Sequence, residues 1–226
     1  MKKTRKLLSA LILVVILFCS SLMGCTTRNS LFNSVSELKR NIYSGNSNNF
    51  SLSASYGFRE TPYINDGKVG KLDNTLIFTL KNKQAAQTTY SVLVEFNGKT
   101  HSAVFKNNPV NSNLKAVIIL DNFDLDNFDA KISFGSSEEK ISMTSIVPKN
   151  ALSPELALEK LEKEQEALIK SFKDSEGNFN AEIYMRILVK DNKPYYYVGF
   201  ASGKDKLKAL LVDGITGKTL AIREIF

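Results

Sequence analysis

Between residues 50 and 147 the apolar side chains fall on alternate positions, and that period of two restricts the segment to strands. Leu76, Phe78 and Leu80 alternate with Thr75, Ile77 and Thr79. Tyr90, Val92, Val94 and Phe96 make the apolar face of the next run. Asn97-Gly98 follows at once, and alternation resumes over 100–105. Both residues of an Asn-Gly pair accept positive φ, so the pair predicts a hairpin between the two runs. Further strands are predicted over 51–58, 115–120, 128–134 and 140–147, the last two joined across Gly135-Ser136-Ser137. Strands with one apolar face each, and no helix among them, need two sheets to share a core. A β-sandwich-like domain is therefore expected over 51–148.

Residues 151–226 have a different texture. Ser153-Pro154-Glu155 supplies an N-cap, a proline at the first helical position and an acid in the first turn. Leu158, Leu161, Leu168 and Phe172 share one face, Gln165 completes the spacing and Ala157 widens it. Glu159 with Lys163, and Glu166 with Lys170, stand four apart on the other face, each pair worth roughly 0.2–0.5 kcal/mol. The pattern predicts one amphipathic helix of about 19 residues, ended near Lys173 by Asp174-Ser175-Glu176-Gly177-Asn178. Strands are predicted over 180–190, 195–200, 206–212 and 219–225, with turns at Asp191-Asn192-Lys193 and over 213–218. A helix on an antiparallel sheet is a small α+β unit.

The last third carries a tyrosine-rich strand over 197–200, then Leu211-Val212-Asp213, Thr216-Gly217-Lys218 and apolar Leu220. In that order, after a helix and a polar gap, these pieces resemble the ending of the PepSY family. The resemblance covers 151–226. It implies a PepSY-like α+β fold and a role in peptidase regulation or peptide binding near the cell surface. The long helix and the Ser202-Gly203-Lys204-Asp205 loop depart from the family pattern.

The N-terminus concerns export. Lys2, Lys3, Arg5 and Lys6 precede an apolar run over 7–18 that only Ser9 interrupts. This is the charged and then apolar order of a signal peptide, and the run is shorter than the roughly 20 residues of a membrane span. Leu22-Met23-Gly24-Cys25 follows and resembles the bacterial lipobox. Leu22 takes the apolar position, Met23 the next, Gly24 the small position before the cut, and Cys25 the thiol that is lipidated. The resemblance implies a signal peptide over 1–24 and a diacylglyceryl anchor on Cys25. The chain is then held on the extracytoplasmic side of a bacterial cell membrane. An unlipidated secreted chain and a retained span are the alternatives. Removing the four N-terminal charges from the formal +7 leaves +3, so the basic balance argues for targeting and no nucleic-acid partner is expected. With Cys19 cut away and Cys25 lipidated, no thiol remains for a disulfide or a thiolate metal site.

Residues 25–50 are polar, with Asn33, Asn41, Asn46, Asn48 and Asn49 among serines. They read as the lipidated cysteine and a flexible tether, since little apolar surface offsets the entropy of ordering. A short helix over 35–43, capped by Ser36, is the other reading.

Reactive constellations are sparse. His101 is the one imidazole, without the nucleophile and orienting group of a triad or the ligand set of zinc. Asp121, Asp124, Asp126 and Asp129 lack the central glycine of a calcium loop. Asp66-Gly67-Lys68-Val69-Gly70-Lys71 has the wrong spacing for a phosphate loop. Glu60 and Glu95 are acids without a hydrolase signature. No catalytic residue, metal or small-molecule cofactor is expected. Tyr195, Tyr196 and Tyr197 are the candidate peptide-binding residues, flanked by Lys190, Lys193 and Lys208. In a strand Tyr196 points opposite to the other two, and its direction relative to the helix decides which are available. The expected function is a non-enzymatic, membrane-anchored surface lipoprotein that binds a peptide or protein of the envelope. Its alternatives are a structural spacer without a ligand and a carboxylate-based envelope hydrolase.

Overall fold

The computed structural model describes residues 31–226 except 63, 65, 83–88, 108–112, 203–205 and 226. A short 3-10 turn, Leu31–Ser34, leads into β1, Val35–Asn46. Eight strands follow: β2 Phe50–Glu60, β3 Leu72–Asn82, β4 Tyr90–Phe96, β5 Lys99–Val104, β6 Lys106–Asn107, β7 Leu114–Ile119, β8 Asn127–Phe134 and β9 Ser137–Ser145. Then come α1, Pro154–Glu164, and α2, Glu166–Lys170. Four strands close the chain: β10 Glu182–Lys190, β11 Lys193–Ser202, β12 Lys206–Asp213 and β13 Thr219–Ile225.

Everything is organised by β1. One of its edges pairs with β2 from Glu37 to Asn46. Its other edge is shared: Val35 to Lys39 pair in parallel with β10, and Tyr43 and Ser44 pair with β9. The sheet therefore forks. One branch runs β10-β11-β12-β13. The other runs β9-β8-β4-β5 and bends round to meet β3 and β7. After β5 leaves β4, Phe105 donates to the Tyr90 carbonyl at 2.8 Å, and β6 pairs with β7. That continuous stretch, 99–107, brings the sheet close to closing on itself.

Two cores lie on the same side of β2. Leu52, Ala54 and Tyr56 face the interior of the curled branch with Phe78, Phe123, Phe128 and Ile132. Phe58, two positions on, packs against the second core with Leu38, Leu158, Leu161, Met185, Tyr196 and Phe200. Ser153 Oγ accepts from Leu156 N at 3.2 Å as the predicted N-cap, and Glu155 is in the first turn. Ion pairs Lys163–Glu159 at 2.6 Å and Lys170–Glu166 at 2.7 Å occupy the exposed face.

Several expectations change. The segment read as a tether over 25–50 is ordered from Leu31 onward, and 35–46 is a central strand instead of a short helix or spacer. Leu31, Val35 and Leu38 are in the helix-backed core, and Tyr43 is fully buried in the other. Two register shifts, at Val35–Glu37 and at Lys39–Asn41, break the alternation that would have revealed the strand. The predicted pair of sheets over 51–148 is instead part of one near-closed sheet, because 99–107 passes from β4 to β7. Residues 151–226 do not stand apart: β1 completes their sheet, and Leu31–Phe226 form one compact unit. The single long helix is two, broken at Gln165 (φ −111°, ψ 38°). There Glu164 accepts from Thr219 N at 2.8 Å and from its Oγ1 at 2.6 Å, and Gln165 Nε2 donates to the same Oγ1. The signal peptide and the Leu22, Met23, Gly24 and Cys25 assignments lie outside the described residues.

The strand boundaries elsewhere follow the sequence. The Asn97-Gly98 turn has φ of 50° and 70°, and Asp191-Asn192 has 51° and 58°. Both are the left-handed pairs that a two-residue hairpin requires. No helix among the described residues is long and apolar enough to cross a membrane.

Candidate functional site: the open sheet face and its free edge

The helix covers one side of β10–β13 and leaves the other to solvent. Alternation along β11 sends Tyr196, Val198 and Phe200 toward the helix, where all are buried. The Tyr196 hydroxyl donates to the Leu152 carbonyl at 2.7 Å, and burial pushes its pKa above the usual phenol value. Tyr196 is thus a core residue and drops out of the candidate binding set. Tyr195 and Tyr197 are half-buried on the opposite, open face. Tyr197 sits in register between Arg186 of β10 and Leu211 of β12, and Leu211 opposes Ala221 of β13. These four form one row across the open face.

The tyrosine strand itself cannot accept a peptide backbone. β11 is paired along both edges, with β10 and with β12. Among the described residues the free strand edge on this branch is β13, which pairs only with β12. β13 is unusually apolar for an edge: Leu220 is 49% and Ile222 50% exposed, and Ile215 in the preceding turn is 42% exposed. Native edges are normally blunted by charge or shortness. Here Arg223 and Glu224 are the charged residues of a seven-residue edge, and Glu224 is engaged by Lys208 at 2.9 Å.

The turn before β13 is held rigidly. Asp213 Oδ1 accepts from Thr216 N at 2.7 Å, Ile215 N at 2.9 Å and Thr216 Oγ1 at 3.0 Å. These bonds, the Thr216 amide first, hold its carboxyl below the usual aspartate range. Gly217 has φ +80°, and a Cβ there would meet Lys160 Cδ at 2.5 Å, while Lys160 Nζ donates to the Thr216 carbonyl at 3.0 Å. The Thr216-Gly217-Lys218 signature thus docks the last hairpin onto α1 and fixes where β13 begins.

A second concavity, of about 510 Å³, lies in the fork between β9 and β10. It is lined by Tyr43, Tyr56, Phe123, Leu152 and Tyr196, and Arg40 on its wall pairs with Glu155 at 3.0 Å. Its hydroxyls are engaged in holding the walls: Asn41 Nδ2 donates to Tyr43 Oη at 3.0 Å and Phe123 N to Tyr56 Oη at 3.1 Å. The geometry is that of a seam between the two cores.

The remaining sequence candidates are dispersed. His101 is half-buried on β5, opposite Val94. Asp129 is paired with Lys140 at 2.7 Å, and no group of three metal-ligating side chains occurs among the described residues. Glu60 and Glu95 stand on β2 and β4, which do not pair with each other. The 66–71 segment is a loop pinned by acids: buried Glu182 accepts from Asp66 N at 3.1 Å and Gly67 N at 3.2 Å, and Glu60 accepts from Gly70 N. Sequence reading missed Ile222 as a surface residue. Its strand was visible, but edge position is a property of the sheet order.

Comparison of the chain with protein-family models, with curated proteins and with solved structures finds no match to any of them.

Proposed function

We propose that the chain is a lipid-anchored, extracytoplasmic protein of a bacterial envelope that binds an extended peptide segment by strand addition at β13. The observation that carries the reading is the exposed, apolar, singly paired edge of β13 beside the open face that bears Tyr197 and Leu211. An added strand gains backbone hydrogen bonds along the edge, and its alternate side chains meet Ala221 and Arg223 or Ile222. The lipobox at Leu22-Met23-Gly24-Cys25 supports the anchor. The PepSY resemblance of 151–226 supports a peptide as ligand and a peptidase or its prosegment as the source. In this reading β10–β13 with α1 are a PepSY-like module, and the protein acts by binding and not by catalysis.

The test is calorimetric titration, with amide-shift mapping, of residues 26–226 against alternating apolar–polar peptides as long as the seven-residue β13. Shifts should concentrate in β13 and reach Tyr197. Ile222→Lys should abolish the heat while leaving the melt within about 0.5 kcal/mol, as exposed substitutions usually do. No heat at high micromolar peptide, with the protein folded, would leave a spacer without a ligand. In cells, labelled fatty acid should enter the wild type and be absent from Cys25→Ser.

A further inference from the structure

At the far end of the open face, away from β13, four cations from four different strands meet. Lys39 of β1, Arg59 of β2, Lys115 of β7 and Arg186 of β10 line one pocket of about 180 Å³. Gly57 lies in its wall, where a Cβ would clash with the Leu38 carbonyl oxygen. No side chain can stand at Gly57, so the cationic residues are left to define the space.

Glu37 is the one carboxylate in the wall. It approaches Arg186 Nε to 3.1 Å, but off hydrogen-bond alignment, so that Nε is buried without a hydrogen-bond partner. Asp73 opposes Arg59 in register, and is taken by Lys71 at 3.0 Å. Lys106 stands opposite Lys115 and adds to the positive side. Burial first, and then Arg186, push the Lys39 ammonium below its ordinary pKa, with Lys115 and Arg59 adding and Glu37 opposing. Four cations facing one acid repel one another across a half-buried space. A phosphate anion among them adds an attraction to each cation that offsets those repulsions. Two guanidinium forks also match the oxygens of a tetrahedral oxyanion in a way that ammonium groups alone do not. The volume lies below the roughly 300–1,000 Å³ of pockets for drug-sized ligands, which suits one compact charged group.

We propose that this pocket binds a phosphate group, held between the Arg59 and Arg186 guanidiniums with Lys39 and Lys115 completing the ring. The site is separate from the β13 edge and does not depend on peptide binding there. The same phosphoryl oxygens are offered by a free phosphate, which is doubly charged, and by the singly charged phosphodiester of an acidic phospholipid headgroup, and the second source lies close by if Cys25 is lipidated.

Residues 26–226 are titrated with inorganic phosphate and glycerol phosphate at fixed ionic strength, and with phosphatidylglycerol vesicles against neutral phosphatidylcholine vesicles. A raised melting temperature with the soluble phosphates assigns the site to free phosphate. Binding confined to the phosphatidylglycerol vesicles assigns it to a lipid headgroup. Lys115→Gln, an exposed change that leaves the fold intact, and Arg59→Gln should each weaken binding by about tenfold, the loss of one charge-assisted contact. Glu37→Gln should strengthen it. Binding that Lys115→Gln and Arg59→Gln both retain unchanged, or no response to phosphate, glycerol phosphate or phosphatidylglycerol beyond that to phosphatidylcholine, would overturn the proposal.

Discussion

The curled branch and the helix-backed branch solve the same problem differently. The curled branch fills its interior with its own aromatic rings. Phe123 alone lies 5.0 Å from Phe96 and from Phe128, 5.5 Å from Tyr56 and 5.9 Å from Tyr43 between ring centroids. Most of the ring contacts in this half are edge-on, the arrangement aromatic quadrupoles favour. The helix-backed branch is mainly aliphatic, with Leu158 and Leu161 of α1 over Ile183, Met185, Ile187 and Leu210, and its ring contacts are the Phe172, Phe179 and Phe200 group and the Phe32–Phe58 pair. A sheet that nearly closes must fill its own inside, and in closing it consumes its edges. A sheet covered by a helix needs cover on one face only, and keeps both an open face and a free edge. The proposed peptide edge accordingly lies on the second branch, and the proposed phosphate pocket runs from β10 across β1 and β2 to β7.

The largest expected effect tests whether the two halves are one cooperative unit. Residues 151–226 alone should show neither dispersed amide signals nor a cooperative melt, because Leu31, Val35 and Leu38 complete their core and β1 covers the edge of β10. A fragment that folds unaided would separate the halves and restore an independent C-terminal domain. Next come single aromatic truncations. Phe123→Ala and Phe200→Ala, one in each core and both fully buried, should each cost about 3–5 kcal/mol. Both should shift a single common transition in calorimetry and in near-ultraviolet dichroism. Two resolved transitions, each moved by one variant only, would show that β1 couples the cores weakly.

The smallest effect concerns the turn that sets β13 against α1. The Asp213 carboxyl is held below its ordinary value by the Thr216 and Ile215 amides. Its contribution to stability is therefore complete above the unfolded value of 3.8 and is lost as pH falls through the lower folded value. The residue is half-buried at the surface, so solvent screens the effect and the slope is shallow. Asp213→Asn should flatten the acid limb of the stability curve below that pH and leave the limb above it parallel to the wild type. Unchanged slopes in urea melts across the acid range would remove the turn from the account of how β13 is placed.

The strands of 90–96 and 219–225 were legible to the residue, as were the Asn97-Gly98 and Asp191-Asn192 turns and the Ser153 cap, because each is written in local chemistry. The direction of Tyr196 was legible only as a choice between two faces. The register with β10 and β12, and the Leu152 carbonyl that receives its hydroxyl, made the choice. The break at Gln165 was hidden because its cause, Thr219, lies 54 positions away.

The amino-acid sequence by itself determined the mainly-β character, the capped amphipathic helix and the turns. All of these rest on spacing over a few residues, which short-range sterics and apolar periodicity read directly. Only the tertiary structure decided that β1 exists, that one strand serves two cores, that β13 is an edge, and that Lys39, Arg59, Lys115 and Arg186 share a pocket. In β1 the two register shifts remove the alternation by which a strand is recognised. In the cationic pocket the four residues are spread over 148 positions of chain, from 39 to 186. They meet because strands far apart in sequence lie side by side in one sheet, and strand order is set by how apolar faces pack, which no local pattern contains.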